Sequence, residues 1–195
     1  MKRAIVVILL AAVASPGQPA GAPAVGPERP ALVVVLGIDQ FRGDYVDRYG
    51  HQWTQGLRRL LDRGARFPEA AYPYMNTVTC AGHATIATGT VPATHGIPLN
   101  GWWDRSLGRQ MWCTDDPRAT NIGHGRAAAT GGDSAWRLRV PTVADELRAQ
   151  SSVPPRVVSL SLKARSANML AGQRADLVAW YGGEAGLVTS SAYAA

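Results

Sequence analysis

The chain has 195 residues, a length that suits one domain behind a leader. It carries 20 Lys and Arg against 14 Asp and Glu, a net charge of +6. The basic residues are scattered with no run of five, which excludes the dense basic face of a nucleic-acid binder, and no apolar run after the leader approaches transmembrane length.

In chain order, Lys2 and Arg3 precede the short apolar run Ala4–Ala14. Small-residue cleavage sites follow at Ala12-Val13-Ala14 and Ala20-Gly21-Ala22, so residues 1–22 read as a secretory signal peptide. Residues 23–30 are Pro-rich and read as a linker, with the working domain over 31–195. Ala31–Ile38 is a continuous apolar run and predicts a buried parallel strand. Asp39 closes it, at the carboxyl end where open α/β sheets carry out chemistry. A helix is predicted near 53–63, with Leu57, Leu60 and Leu61 as its apolar stripe and Gly64 as its stop. Residues 65–72 read as a short strand. Thr79–Thr88 is rich in small residues and predicts a tightly packed helix ended by Gly89, with Thr79 as its N-cap. The N-terminus of that helix favours an anion.

Asn100-Gly101 is a hairpin-turn signal, and residues 115–135 read as a long surface loop. Thr142 caps a helix that opens at Pro141. Arg156–Leu162 is a second strand, with Lys163 and Arg165 at its carboxyl end, two apart and on one face if the chain stays extended. Leu177–Tyr181 and Leu187–Thr189 suggest a terminal hairpin. Alternating strands and helices argue an α/β fold.

A Thr hydroxyl needs something to lower its pKa before it attacks. Zinc does so, taking water from ~16 to ~7 in the best-known case. Asp39 and Thr79 together read as half of such a metal-activated nucleophile site. Lys163 is the sole Lys once Lys2 is removed with the leader. Cys80 and Cys113 can pair after export, but sequence leaves the pairing open. His83 and His95 show no helical ligand spacing; His83, four after Thr79, reads as packing or hydrogen-bonding within the helix, and His51 and His124 read as surface residues. Trp102 and Trp103 read as packing residues.

The order of these segments resembles the alkaline phosphatase superfamily, and within it the phosphate-irrepressible secreted type. The markers are Gly37-Ile38-Asp39-Gln40-Phe41-Arg42 with Asp44-Tyr45, Thr77-Val78-Thr79-Cys80-Ala81-Gly82-His83, Gly89–Ile97, Asn100 before Trp102, and Ser161-Leu162-Lys163-Ala164-Arg165. The resemblance implies an alkaline-phosphatase-like three-layer sandwich with a mostly parallel central sheet, incomplete in this chain. It implies that Asp39 and Thr79 ligate zinc, that Thr79 is the nucleophile, that Asn100 donates to a phosphoryl oxygen, and that Lys163 and Arg165 hold the phosphoryl group. A complete member holds two zinc ions, and the later Asp/His clusters that supply most ligands are absent here. The implied function is a periplasmic or secreted zinc-dependent phosphatase. It acts on small-molecule phosphate monoesters through a phosphothreonine intermediate, needing neither nucleic acid nor, after signal cleavage, a membrane. This chain reads as the front portion of such an enzyme, inactive alone. The alternatives are a phosphodiesterase or nucleotide pyrophosphatase of the same superfamily, and a non-catalytic remnant.

Overall fold

A computed structural model describes residues 30–193. The expected signal peptide and linker lie outside the described residues, Pro30 excepted. The chain divides into a short unit that ends at Leu36 and a larger one from Gly37. In the short unit, residues 31–36 are exposed and join no ladder among the described residues. The strand expected over 31–38 is therefore not formed: an apolar run becomes a strand only when a neighbour takes its N–H and C=O groups, and none among the described residues does.

The larger unit opens with an aromatic corner. Phe41 meets Tyr45 edge-on at 5.7 Å and Trp53 at 6.0 Å. Helix α1 (Tyr45–Tyr49), a 3₁₀ turn (Gly50–Gln52) and α2 (Gly56–Arg63) follow. The predicted stripe of α2 is only partly used, with Leu57 and Leu61 half-buried and Leu60 exposed. Gly64 does stop α2, its N–H donating to the Leu60 carbonyl at 2.8 Å. Residues 65–72 form a loop rather than a strand.

Helix α3 (Thr79–Thr88) forms as its small residues predict. Cys80, Ala81, Gly82, Ala84 and Ala87 are buried, and their size lets α6 (Ala164–Ala171) pack closely against it. Gly89 ends α3 at φ 66°, the left-handed cap that L-residues resist. A short α4 (Pro92–His95) leads to a hairpin of β1 (Gly101–Asp104) and β2 (Arg109–Trp112). Asn100-Gly101 is not its turn. Cys113 N–H donates to the Asn100 carbonyl at 2.9 Å, so pairing continues past Asn100 and the chain reverses at 105–108. Asp104 holds that turn, its Oδ1 accepting from Ser106 N and Leu107 N.

The second sheet has the order β3 (Asn121–Gly123), β6 (Leu187–Ser190), β5 (Leu177–Tyr181), β4 (Val158–Ser161). β4 and β5 are parallel, joined through α6, and the other pairings are antiparallel. The terminal hairpin is β5–β6, as expected. Helix α6 covers one sheet face, where Ala167, Ala171, Val178, Trp180 and Val188 form a core. The strand register puts Val158, Leu160, Leu177, Tyr181 and Leu187 on the opposite face, and all five are exposed. Residues 115–135 are more ordered than a surface loop: they contain β3, and they bury Asp116, Asn121 and Ser134. Burial pushes the Asp116 carboxyl up, but Arg118 and Ser134 hydrogen bonds outweigh it and hold the pKa at about 2. Helix α5 (Val143–Gln150) starts on Thr142 with a full capping box to Asp145.

Candidate active site

The site is built at the first turn of α3. The N-cap is Val78, which offers no side-chain acceptor, so Thr79 is the first helical residue rather than the cap. The missing cap is supplied from outside: Cys80 N–H donates to Asn100 Oδ1 at 2.8 Å. Because that oxygen faces a donor, the Asn100 NH₂ group is left to point elsewhere and can donate. Helix geometry leaves the first N–H groups without intrahelical partners, which favours negative charge at this end.

Thr79 Oγ1 donates to Asp39 Oδ2 at 3.3 Å, across 40 residues of sequence. Asp39 is presented by a tight turn in which Phe41 N–H donates to the Ile38 carbonyl at 3.4 Å. Gln40 in that turn has φ 60°, a left-handed conformation for a residue with a side chain. Backbone strain of this kind clusters at functional sites. The aromatic corner around Phe41 anchors the turn on its far side.

Lys163 and Arg165 do not share an extended face. Lys163 is the N-cap of α6 and Arg165 lies in its first turn, because the chain turns helical directly after β4. Neither has a carboxylate partner among the described ion pairs. Arg165 Nε is buried with no acceptor among the described residues. A buried guanidinium nitrogen without a partner is costly, and an anion would satisfy it. Asp39, Thr79 and Asn100 are thus joined by hydrogen bonds through α3. Lys163 and Arg165 sit at the start of the helix packed on α3.

Cys80, next to Thr79, is bonded to Cys113, with Cα atoms 6.4 Å apart. The disulfide ties the end of β2 to the first turn of α3. It lies in a core of Ala84, Ile97, Ala135, Leu138 and Met169, against which Trp102 packs. Trp103, by contrast, is exposed. His51 and His124 are exposed as expected. His95 is buried, and burial lowers its pKa. Ile97 N–H donates to His95 Nδ1 at 3.2 Å, so the proton sits on Nε2, which faces Thr85 Oγ1 at 3.1 Å. Tyr74 donates to the same Thr85 oxygen at 2.7 Å.

Among the described residues no group of three or more His, Cys, Asp or Glu could hold one metal ion. A catalytic zinc takes three protein ligands. Asp39 and Thr79 offer two oxygens, one donor short, so the residues described do not fit a complete zinc centre. The Cys80–Cys113 pairing and the Gln40 turn were not legible beforehand, whereas His83 bonds within α3 to the Thr79 carbonyl, as its place four residues after Thr79 implied.

A family model described as type I phosphodiesterase / nucleotide pyrophosphatase matches residues 33–185. Alkaline phosphatase PhoV of Synechococcus elongatus is 38% identical over 85% of this chain and 30% of its own length. Alkaline phosphatase PafA of Elizabethkingia meningoseptica is 36% identical over 85% of this chain and 30% of its own. The crystal structure of wild-type PafA matches with a TM-score of 0.73 at 34% identity, over 80% of this chain and 30% of that one. A PafA variant with one Thr, one Asn, one Lys and one Arg replaced matches with the same TM-score. The chain therefore spans about 30% of the length of the curated relatives it matches.

Proposed function

Because this chain belongs to the type I phosphodiesterase / nucleotide pyrophosphatase family, we propose that it carries the nucleophile half of a secreted phosphatase acting on phosphate monoesters. The observation that carries the reading is the Thr79 hydroxyl, 3.3 Å from Asp39 at a helix N-terminus capped by Asn100. Thr79 Oγ, its proton released to water, attacks phosphorus; the bond to the leaving oxygen breaks, that oxygen takes a proton from water, and a phosphothreonine forms that water later hydrolyses to free Thr79 and phosphate. Carboxylates are far weaker bases than alkoxides, so Asp39 orients the hydroxyl without ionising it. Zinc is the group that family members of the alkaline phosphatase type imply for that task. Here Asp39 and Thr79 would supply two of its donors, and the rest would come from outside the described residues. The free amide of Asn100 and the unpaired Lys163 and Arg165 bind phosphoryl oxygens. That the PafA variant replaces the same four residue types supports this assignment. The disulfide agrees with an oxidising compartment, and hence with a periplasmic or secreted site.

A monoester dianion carries more charge on its non-bridging oxygens than a diester. In a longer, active protein containing this chain, Lys163→Ala with Arg165→Ala should lower monoester kcat/KM on the order of 10²–10³-fold. Diester hydrolysis with a matched leaving group should fall far less. An equal loss on both substrates would mean that the pair is structural or binds uniformly; a preference of the parent for the diester would favour the second reading, a phosphodiesterase, which the family description supports. A phosphopeptide carrying Thr79 after acid quench, absent in Thr79→Ala, tests the nucleophile.

A further inference from the structure

The first turn of α3 has no side-chain cap of its own, since Val78 occupies the N-cap. Two side chains hold it, one from outside the helix and one from its second turn. Asn100 takes the Cys80 N–H, and His83 reaches back to the Thr79 carbonyl, with Nδ1 2.8 Å from that oxygen. A carbonyl only accepts, so the proton of this bond sits on His83 Nδ1 and leaves Nε2 bare. The imidazole is buried, at 6% exposure. Its far edge faces Gly37, near enough that a Cβ added there would meet Nε2 at 3.6 Å and Cδ2 at 3.8 Å, beside Leu170 Cδ1 at 3.4 Å. Gly37 comes two residues before Asp39. One ring is therefore wedged between the turn that carries the Thr79 hydroxyl and the segment that delivers Asp39.

We infer that His83 is a positioning residue, which sets the approach of Thr79 to Asp39 by clasping the Thr79 carbonyl with one edge and bracing Gly37 with the other. It touches no reacting atom. Its importance rests on the reading of Thr79 as nucleophile, but its geometry does not. Without the clasp, Asn100 alone holds the first turn, and the Thr79 side chain is freer to sample more than one rotamer. A hydroxyl that spends less time facing Asp39 is less often in position to react.

The test is nuclear magnetic resonance on the isotope-labelled chain itself, with no turnover involved. In the wild type, imidazole ¹⁵N shifts should place the neutral ring's proton on Nδ1, and three-bond couplings at Thr79 should report a single χ1 rotamer. His83→Phe keeps a ring against Gly37 and removes the donor, and should give averaged Thr79 couplings. His83→Asn places an amide N–H near the Nδ1 position and should restore the single rotamer. A proton on Nε2 in the wild type overturns the inference. So does a single, unchanged Thr79 rotamer in His83→Phe, or averaging in His83→Asn equal to that in His83→Phe. Should His83→Phe fail to fold, the wild-type tautomer and His83→Asn still decide. Loss of the phosphatase reading would leave these spectra unchanged, so the two can fail separately.

Discussion

Gln40 sits one residue after Asp39 with φ 60°. A side chain in the left-handed region costs roughly 1–2 kcal/mol, which glycine avoids at some cost in unfolded-state entropy. Gln40→Gly should therefore be neutral or stabilise the chain by up to about 1 kcal/mol, while Gln40→Val should destabilise it by more than that. Urea unfolding of the three proteins checks both. A clear loss in Gln40→Gly would mean that the Gln40 side chain itself holds the turn. At this scale the site was readable as residue types. Asp39, Thr79 and Asn100 stand out in the sequence, whereas the left-handed turn does not, because Gln carries no signal for it.

The elements around α3 carry two testable supports. The disulfide joins α3 to the end of β2 across 33 residues. Closing a loop of that size contributes about 3–4 kcal/mol in the chain-entropy account. Reduction should lower the unfolding midpoint accordingly, and Cys80→Ala with Cys113→Ala should do the same without reductant. An unchanged midpoint would show that the packed core around it suffices. His95 links α3, α4 and Tyr74 in its neutral form, and burial lowers its pKa below the ordinary 6.5. The sign follows from proton counting. As pH falls through 6.5 the unfolded chain takes up a proton that the folded chain still refuses, so stability is full above that value and declines below it. Unfolding free energy measured between about pH 7.5 and about pH 5.5 should fall, and His95→Gln should remove that part of the slope. Helices α3 and α5 were legible because small-residue content and a capping box are local. The strand at 31–38 was not, since pairing needs a partner that the sequence cannot place.

For the whole molecule, the donor count governs. Among the described residues, Asp39 and Thr79 fall short of the three protein ligands a catalytic zinc takes. The purified chain, loaded with zinc and dialysed, should retain well under one ion per molecule by metal analysis. Its turnover of p-nitrophenyl phosphate should match that of Thr79→Ala. Stoichiometric zinc, or turnover well above that control, would mean that ligands outside the described residues complete the centre. The sheet has the same one-sided character, covered by α6 on one face and exposing Val158, Leu160, Leu177, Tyr181 and Leu187 on the other.

By itself the sequence determined the α/β class, the extent of α3, the cap of α5, the terminal hairpin and the residue types that stand at the site. Each depends on periodicity, capping chemistry or motif order, which are local properties of the chain. Only the tertiary structure decided that Asn100 caps α3 instead of turning a hairpin, and that Lys163 and Arg165 open a helix instead of extending a strand. It alone paired Cys80 with Cys113 and set His83 between Thr79 and Gly37. Those outcomes depend on which distant groups meet, and a hydrogen bond or disulfide across 20 to 40 residues leaves no mark on the residues between.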